Sequence, residues 1–374
     1  MKKILLMTFE YPTGKIYCGG VGQMVQQSRQ ALAALGHEVY VLISVDFKKK
    51  RPAQLLLPDG RLIHYPDFFS YQKEYPFKFF HVIIQHFVNW TQDLKRLKSH
   101  KGKRPEIIYH FHSILRREKD SGFRTFNKFL LNQEKMIQIA DRIVCPSRYE
   151  YDNFNRYFPY YSGKLSLIEN IVNVFAPDKK QIAAIRAAYG IKKNDTIAIY
   201  VGRIERAKGA HILIRHLPDI LKGRRGVKVF IVGKVLERSL YRKLAAIRKE
   251  YPKQVFYIKY IEKRRLFQFY YLSDIYINTS LSESFSLSTY EGGFCRNALL
   301  LNRLPVFERF QKGALFFSPA NANGDGFLHK LQTLLKNRSL RRRLGKAAHQ
   351  ATNQFLADRD LVQDFSRFIG DTNK

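Results

Sequence analysis

A short apolar run, a glycine-bearing loop, a helix and a second apolar run occur in that order twice in this chain, and the repetition restricts the fold more than any other feature. Residues 3–9 are the first run and read as a buried parallel strand. The loop Tyr17-Cys18-Gly19-Gly20-Val21-Gly22 follows, then a helical stretch over 23–35 that Gly36 stops. Residues 37–43 are the next strand. The order restarts at 196–201, passes through a loop at 202–209 and a helix at 211–221, and reaches a buried strand at 227–232 closed by Gly233. Residues 255–260, 275–278 and 304–307 read as later strands. Strand, glycine loop, helix and parallel strand are the opening of a Rossmann-type unit. The expected class is therefore α/β, with two such units in tandem. A chain of 374 residues is long enough for each to bury its own core. The junction is expected between Asn173 and Ala188, where Pro177, Asp178 and two lysines interrupt the apolar pattern. The expected domains are 1–175 and 176–355, with 356–374 forming a terminal helix that packs back near the junction.

Charge narrows the partners. Lys and Arg number 65 against 31 Asp and Glu, a formal net charge of +34. A field of that sign attracts nucleic acid, anionic lipid headgroups or phosphorylated glycans. Cys18, Cys145 and Cys295 stand far apart without CxxC pairing, which points to a reducing compartment and no structural zinc. The opening apolar stretch ends at Glu10-Tyr11-Pro12 without a small-residue cleavage site. No run approaches the roughly 18 apolar residues of a spanning helix. The expected location is cytoplasmic, peripheral on the inner face of a membrane.

Four constellations bear chemistry. Gly19, Gly20 and Gly22 lie between strand and helix, where backbone N–H groups can approach a phosphate. Their GGxG spacing is not GxGxxG, and Lys48 to Arg51 stand where an acidic ribose partner is expected; a plain tight turn explains the loop equally well. Arg203 and Lys208 share a loop at the carboxyl end of a strand, and two cations aimed at one point stabilise a departing diphosphate. A solvated basic loop is the competing reading. Glu283 and Glu291 interrupt an apolar, hydroxyl-bearing stretch; a carboxylate accepts two hydrogen bonds from a vicinal diol. His110 and His112 fall on one face at the end of an apolar strand, as a sugar contact or as ordinary packed histidines. No third ligand at metal-binding spacing accompanies them, so no metal site is expected.

Together these residues resemble retaining glycosyltransferase family four, of GT-B fold, along most of the chain. Pro12 with Gly19-Gly20-Val21-Gly22 is similar to the family's amino-terminal loop, and Leu35-Gly36-His37-Glu38-Val39 to the end of its first helix. Residues 140–147 resemble the strand where members place a serine, and 168–173 the segment that often reads Pro-Asn-Gly-Val-Asp. Val201-Gly202-Arg203 with Lys208-Gly209 is similar to the donor-phosphate loop, Glu283 and Glu291 to the paired glutamates, and Gly313 to Pro319 to the segment beyond. The resemblance implies two Rossmann-like domains facing each other across a cleft, the first taking acceptor and the second nucleotide sugar. It implies that Arg203 and Lys208 hold the donor diphosphate, Glu291 the ribose and Glu283 the transferred sugar, with His112 near the reacting face. Gly19, Gly20, Gly22, Ser284, Phe285, Ser286 and Leu287 would complete the donor site. No metal or other cofactor is implied; the nucleotide sugar, with UDP or GDP as its base carrier, is a substrate. Transfer would retain configuration through an oxocarbenium-like transition state. Two departures stand out. Ser284-Phe285-Ser286 replaces the glycine that members carry after the first glutamate, and Gly292 to Asn297 replaces a small-residue run ending in Gly-x-Pro.

Phe79, Phe80 and Trp90, followed by Lys95 and Arg96, suit the boundary between headgroups and acyl chains, and mark the expected membrane or acceptor contact. The expected acceptor is a lipid-linked or envelope glycan, of glycolipid, lipopolysaccharide or polysaccharide type. The other reading of this stretch is aromatics in the first core beside solvated lysines. Two other functional classes remain: a catalytically silent GT-B subunit supporting a partner enzyme, and a nucleic-acid-binding protein. The second is disfavoured because no recognition module accompanies the basic clusters.

Overall fold

A computed structural model describes residues 1–12, 18–44, 52–100, 102–120, 125–318 and 325–370. Tyr17, Lys48 to Arg51 and Pro319 lie outside them. The chain divides into two compact units, Met1–Ile171 with Arg359–Lys374, and Val172–Asp358.

The first unit is built on strands β1 (Lys3–Thr8), β2 (Glu38–Ile43), β3 (Ala53–Leu56), β4 (Leu62–Tyr65), β5 (Val82–Gln85), β6 (Glu106–His110), β7 (Arg142–Cys145) and β8 (Leu165–Leu167). Their order is β4-β3-β2-β1-β5-β6-β7-β8, with only β3 running against the others, antiparallel to both β2 and β4. Ile4, Leu5, Leu6 and Met7 are buried without alternation, because the central strands of a parallel sheet are covered on both faces. The helix Leu361–Gly370 belongs to this unit. Its Leu361, Phe365, Phe368 and Ile369 share one helical face and pack with Val25, Ala31 and Leu32. Arg142 donates to the Phe368 carbonyl and lies 4.1 Å over its ring, and Lys2 Nζ donates to the Ile369 carbonyl at 3.1 Å.

The core on the opposite face of this sheet corrects the membrane reading of the aromatic stretch. Trp90 is 2% exposed and stacks on Phe68 at 4.3 Å. Phe80 is buried, and half-buried Phe79 sits edge-on to both Tyr40 and Phe80. Burying these rings stabilises the fold more than exposing them to an interface would, since each carries a large apolar area. Lys95 and Arg96 are exposed on the helix Thr91–Lys98, which buries Thr91 and Leu94 instead.

The second unit carries β9 (Thr196–Val201), β10 (Val227–Val232), β11 (Val255–Ile258), β12 (Ile275–Asn278), β13 (Ala298–Asn302) and β14 (Ala314–Phe317), all parallel, in the order β11-β10-β9-β12-β13-β14. The strand expected at 304–307 is instead part of the 3₁₀ segment Pro305–Phe310. Pro305 suits a first helical position, and the buried Phe307 and Phe310 repeat at three residues, the period of such a turn. Strand order reverses between β1 and β5 in one sheet and between β9 and β12 in the other. Open α/β sheets bind ligands outside the carboxyl ends of strands at such points.

Candidate donor loop and histidine cluster

The loop leaving β9 is held from below. Tyr200, buried in that strand, places its hydroxyl 3.1 Å from the Arg203 carbonyl and 3.0 Å from that of Lys208. Burial pushes this phenol well above its usual range, so it remains a neutral donor. Gly209 ends the loop at φ +64°, and a Cβ there would lie 1.7 Å from the Thr279 carbonyl oxygen. Thr279 Oγ1 in turn donates to the Gly209 carbonyl at 2.9 Å. The β9 loop is thereby locked against the loop leaving β12.

That lock brings Lys208 Nζ to 2.9 Å from Glu283 Oε1, an oxygen that also accepts from Ser280 Oγ at 2.7 Å. Two loops that meet at the switch point therefore carry a cation and a carboxylate in contact. Arg203 does not join them: its guanidinium lies 2.8 Å from Glu205, two residues along its own loop. The expected convergence of Arg203 and Lys208 on one point gives way to two separate ion pairs.

Glu291 is 1% exposed on the helix Leu287–Phe294 and pairs with Lys263. Lys263, the partner of Glu291, joins the candidate site without having been singled out in the sequence. It stands in Glu262-Lys263-Arg264-Arg265, and only the fold separates it from the exposed Arg264 and Arg265. Ser286 takes φ +70° at the place where glycine is expected, and Asn278 Nδ2 and Thr289 Oγ1 hold its hydroxyl at 3.0 and 2.9 Å. Phe285 turns into the core and stacks on Tyr290 at 4.5 Å, contrary to its expected place in the donor site. Ser284 and Leu287 remain half-buried beside it.

In the first unit the helix Gly20–Ala34 begins earlier than expected, so Gly20 and Gly22 form its first turn. Glu10 accepts from Gly19 N–H at 3.1 Å and Gly22 N–H at 3.0 Å. An internal carboxylate thus occupies the anion-attracting end of this helix, and a phosphate would have to displace it.

His86, His110 and His112 gather at the ends of β5 and β6. His86 Nδ1 is 3.2 Å from His112 Nε2, and the three ring centroids lie 4.9, 5.0 and 5.4 Å apart. The rings lie against one another, and among the described residues no group of three His, Cys, Asp or Glu is arranged to hold a metal ion. Burial depresses all three: His86 and His110 fall well below the usual histidine range, and His112 to about 4. The cluster is neutral at pH 7. An unfolded chain binds protons here near pH 6.5, whereas the folded chain resists until about pH 4 at His112. The unfolded state therefore holds more protons in that window, and stability is lost as pH falls through it. The thermal midpoint is expected to drop between pH 7 and pH 5, and His110→Phe to shrink the drop. Equal slopes in calorimetric scans of the two proteins would refute this source.

Residues 181–351 match the family model described as glycosyl transferases group 1, and residues 18–175 match that of glycosyltransferase family 4. The first match lies within the second unit, the other covers most of the first unit and runs four residues past Ile171, and together they take in most of the chain. The chain belongs to glycosyltransferase family 4. It has the GT-B fold, and it is a glycosyltransferase. This family 4 protein is 21% identical over 335 residues to the alpha-monoglucosyldiacylglycerol synthase of Acholeplasma laidlawii, covering 80% of this chain and 81% of that one. Among solved structures it is similar to the sucrose-phosphate synthase of Thermosynechococcus elongatus (TM-score 0.76, 18% identity, 98% of each chain). It is also similar to Anabaena Alr3699/HepE in complex with UDP and glucose (TM-score 0.71, 15% identity, 99% of this chain and 100% of that one).

Proposed function

We propose that this glycosyltransferase moves a sugar from a nucleotide-sugar donor to a lipid-linked or envelope-glycan acceptor at an anionic membrane surface, retaining configuration and needing no divalent metal. The observation that carries the reading is the Lys208–Glu283 pair, held at the β9/β12 switch point by Tyr200 and Thr279. Each partner of this pair suits half of a donor. Lys208 would turn from Glu283 to the diphosphate and neutralise the charge that grows on it as the glycosidic bond breaks. Glu283, released, would accept hydrogen bonds from the sugar hydroxyls. Arg203 would leave Glu205 to assist at the diphosphate, and Glu291, kept beside Lys263, would accept from the ribose diol. The neutral His112 would offer a hydrogen bond near the sugar without setting a positive charge beside an oxocarbenium-like centre. Retention follows if the acceptor hydroxyl enters on the face that the diphosphate leaves.

The Anabaena neighbour's UDP and glucose support a nucleotide-sugar donor, with UDP or GDP proposed here. The Acholeplasma relative, named for a glucosylated diacylglycerol, supports a lipid acceptor. The net charge of +34 supports an anionic surface, on the cytoplasmic face. The contact is proposed as peripheral; among the described residues no helix is long and apolar enough to cross a membrane. The test is thermal unfolding against UDP, GDP and ADP sugars, with donor hydrolysis measured alongside. A donor at about a hundred times its dissociation constant adds about 2.7 kcal/mol. Stabilisation by one nucleotide class with turnover is expected. Stabilisation without turnover in the presence of membrane extracts would point to the silent subunit, and no stabilisation by any donor would refute the reading.

A further inference from the structure

His86 stands just beyond β5, His110 ends β6, and His112 lies just beyond it. The main chain that carries them is fixed to the sheet. His86 N–H donates to the Met7 carbonyl at 2.9 Å, and Phe111 N–H to the Val144 carbonyl at 3.2 Å. His86 and His110 are each 1% exposed, whereas His112 is half-buried. The His86 and His112 rings are inclined at only 20°, with their centroids 5.4 Å apart and the facing nitrogens 3.2 Å apart. That centroid separation is close to the nitrogen–nitrogen distance plus two ring radii. The rings therefore meet edge to edge, and each nitrogen points at the other within its own ring plane. An N–H facing a lone pair along that line is a hydrogen bond between two neutral imidazoles. His110 packs against both rings. Both of its nitrogens, like His86 Nε2, are buried without a hydrogen-bond partner among the described residues.

Burial keeps the three rings neutral at pH 7, so each carries one ring proton. The contact then allows two arrangements. If His112 Nε2 donates, His86 must hold its own proton on Nε2, as a buried N–H with nothing to accept it. If His86 Nδ1 donates, its Nε2 is only an unused acceptor, and His112 holds its proton on Nδ1. Orphaned buried donors are rarer in folded proteins than under-used acceptors, which favours the second arrangement. We infer that His86 is a positioning residue: by donating from Nδ1 to His112 Nε2 it fixes the His112 tautomer, so that His112 meets the transferred sugar through Nδ1–H as a hydrogen-bond donor. The inference rests on the reading of the protein as a nucleotide-sugar transferase with His112 beside the sugar, and names the nitrogen used and the residue that selects it. One chemical consequence follows. With its Nε2 lone pair engaged and its Nδ1 protonated, His112 has no free basic nitrogen. It can hold a sugar oxygen but cannot take a proton from water or from the acceptor hydroxyl.

The experiment is nuclear magnetic resonance of the full chain, labelled at the histidine ring nitrogens, at pH 7. Long-range proton–nitrogen correlations separate protonated from bare ring nitrogens. Spectra are recorded for the unsubstituted protein, His86→Phe and His86→Asn, with His112→Gln to assign the His112 signals, and sugar transfer is measured on the same proteins. His112 is expected to carry its proton on Nδ1 in the unsubstituted protein. His86→Phe removes the donor, and should move that proton to Nε2 and slow transfer about tenfold, the worth of one neutral hydrogen bond. His86→Asn, whose amide N–H can stand where Nδ1 stood, should restore the Nδ1 form and most of the rate. A residue that only filled space would give the opposite order, because Phe keeps the ring volume and Asn does not. His112 protonated on Nε2 in the unsubstituted protein, an unchanged tautomer in His86→Phe, or transfer by His86→Phe at the full rate would each overturn the proposal. Thermal stabilisation by UDP or GDP reports the donor reading separately, and its retention in both variants shows that they fold. Its absence in the unsubstituted protein would count against the transferase reading, whereas its presence beside the wrong tautomer would count against His86 alone.

Discussion

Lys208→Ala is expected to lower kcat for sugar transfer by about 10²–10³-fold, the effect of removing one preorganised group that meets charge growing in the transition state. Donor affinity should fall less, because Arg203 and Glu291 remain. The substitution leaves Glu283 without its cation. Glu283 keeps the hydrogen bond from Ser280, so the cost to folding stays at about 1 kcal/mol and the variant can be assayed. Lys208→Arg keeps the charge but replaces a compact ammonium with a planar fork, and should recover only part of the rate. The measurement is steady-state transfer with the donor identified by thermal unfolding, together with the donor dissociation constant. A change confined to the dissociation constant would mean that Lys208 binds donor and transition state alike. A variant with unchanged kcat would shift the diphosphate role to Arg203.

Gly209→Ala is expected to destabilise the unit Val172–Asp358 by about 3 kcal/mol or more. Two causes add: a positive φ that side chains rarely adopt, and a Cβ that would stand 1.7 Å from the backbone of Thr279. For a unit of this size the loss corresponds to a fall of roughly 6–12 °C in midpoint. Gly223→Ala separates the causes. Gly223 has φ +73° but nothing within 4 Å of its would-be Cβ, so only the backbone strain of about 1 kcal/mol applies. Calorimetry of the two variants reads the difference directly, and nucleotide-induced stabilisation should disappear only in Gly209→Ala. Equal losses would mean that the β9 and β12 loops can part at little cost, and that the lock holding Lys208 beside Glu283 is loose.

Much of the architecture was legible from local pattern. The strands at 196–201 and 227–232 are closed by Gly202 and Gly233, and their runs Ile197 to Val201 and Val229 to Val232 read as continuously apolar because both faces are covered. The terminal helix was visible from its apolar period. The strand assigned to 304–307 failed because an apolar run after a proline suits a 3₁₀ turn as readily as a strand, and only the neighbouring β13 and β14 decide which. The aromatic stretch before Trp90 misled for a related reason. Composition cannot distinguish rings that fill a core from rings that await a membrane, and Phe126 and Leu131, exposed in the structure, carry no stronger signal in the sequence.

The candidate site divides along the same line. Lys208 could be singled out because it follows a readable strand in a glycine-bearing loop, and Glu283 and Glu291 because they interrupt an apolar, hydroxyl-bearing stretch after another strand. Their partners could not. Arg203 turned to Glu205, Lys263 emerged from a run of look-alike cations, and Glu10 took the amides of Gly19 and Gly22. Sequence alone determined the two α/β units, the positions of their loops and the types of charge those loops bear, because periodicity and turn chemistry act within a few residues. Tertiary structure alone decided which cation meets which carboxylate and which aromatics stay exposed. Those outcomes depend on segments tens of residues apart meeting at a sheet edge, where close contacts such as the 2.9 Å hydrogen bond from Thr279 to Gly209 set the register.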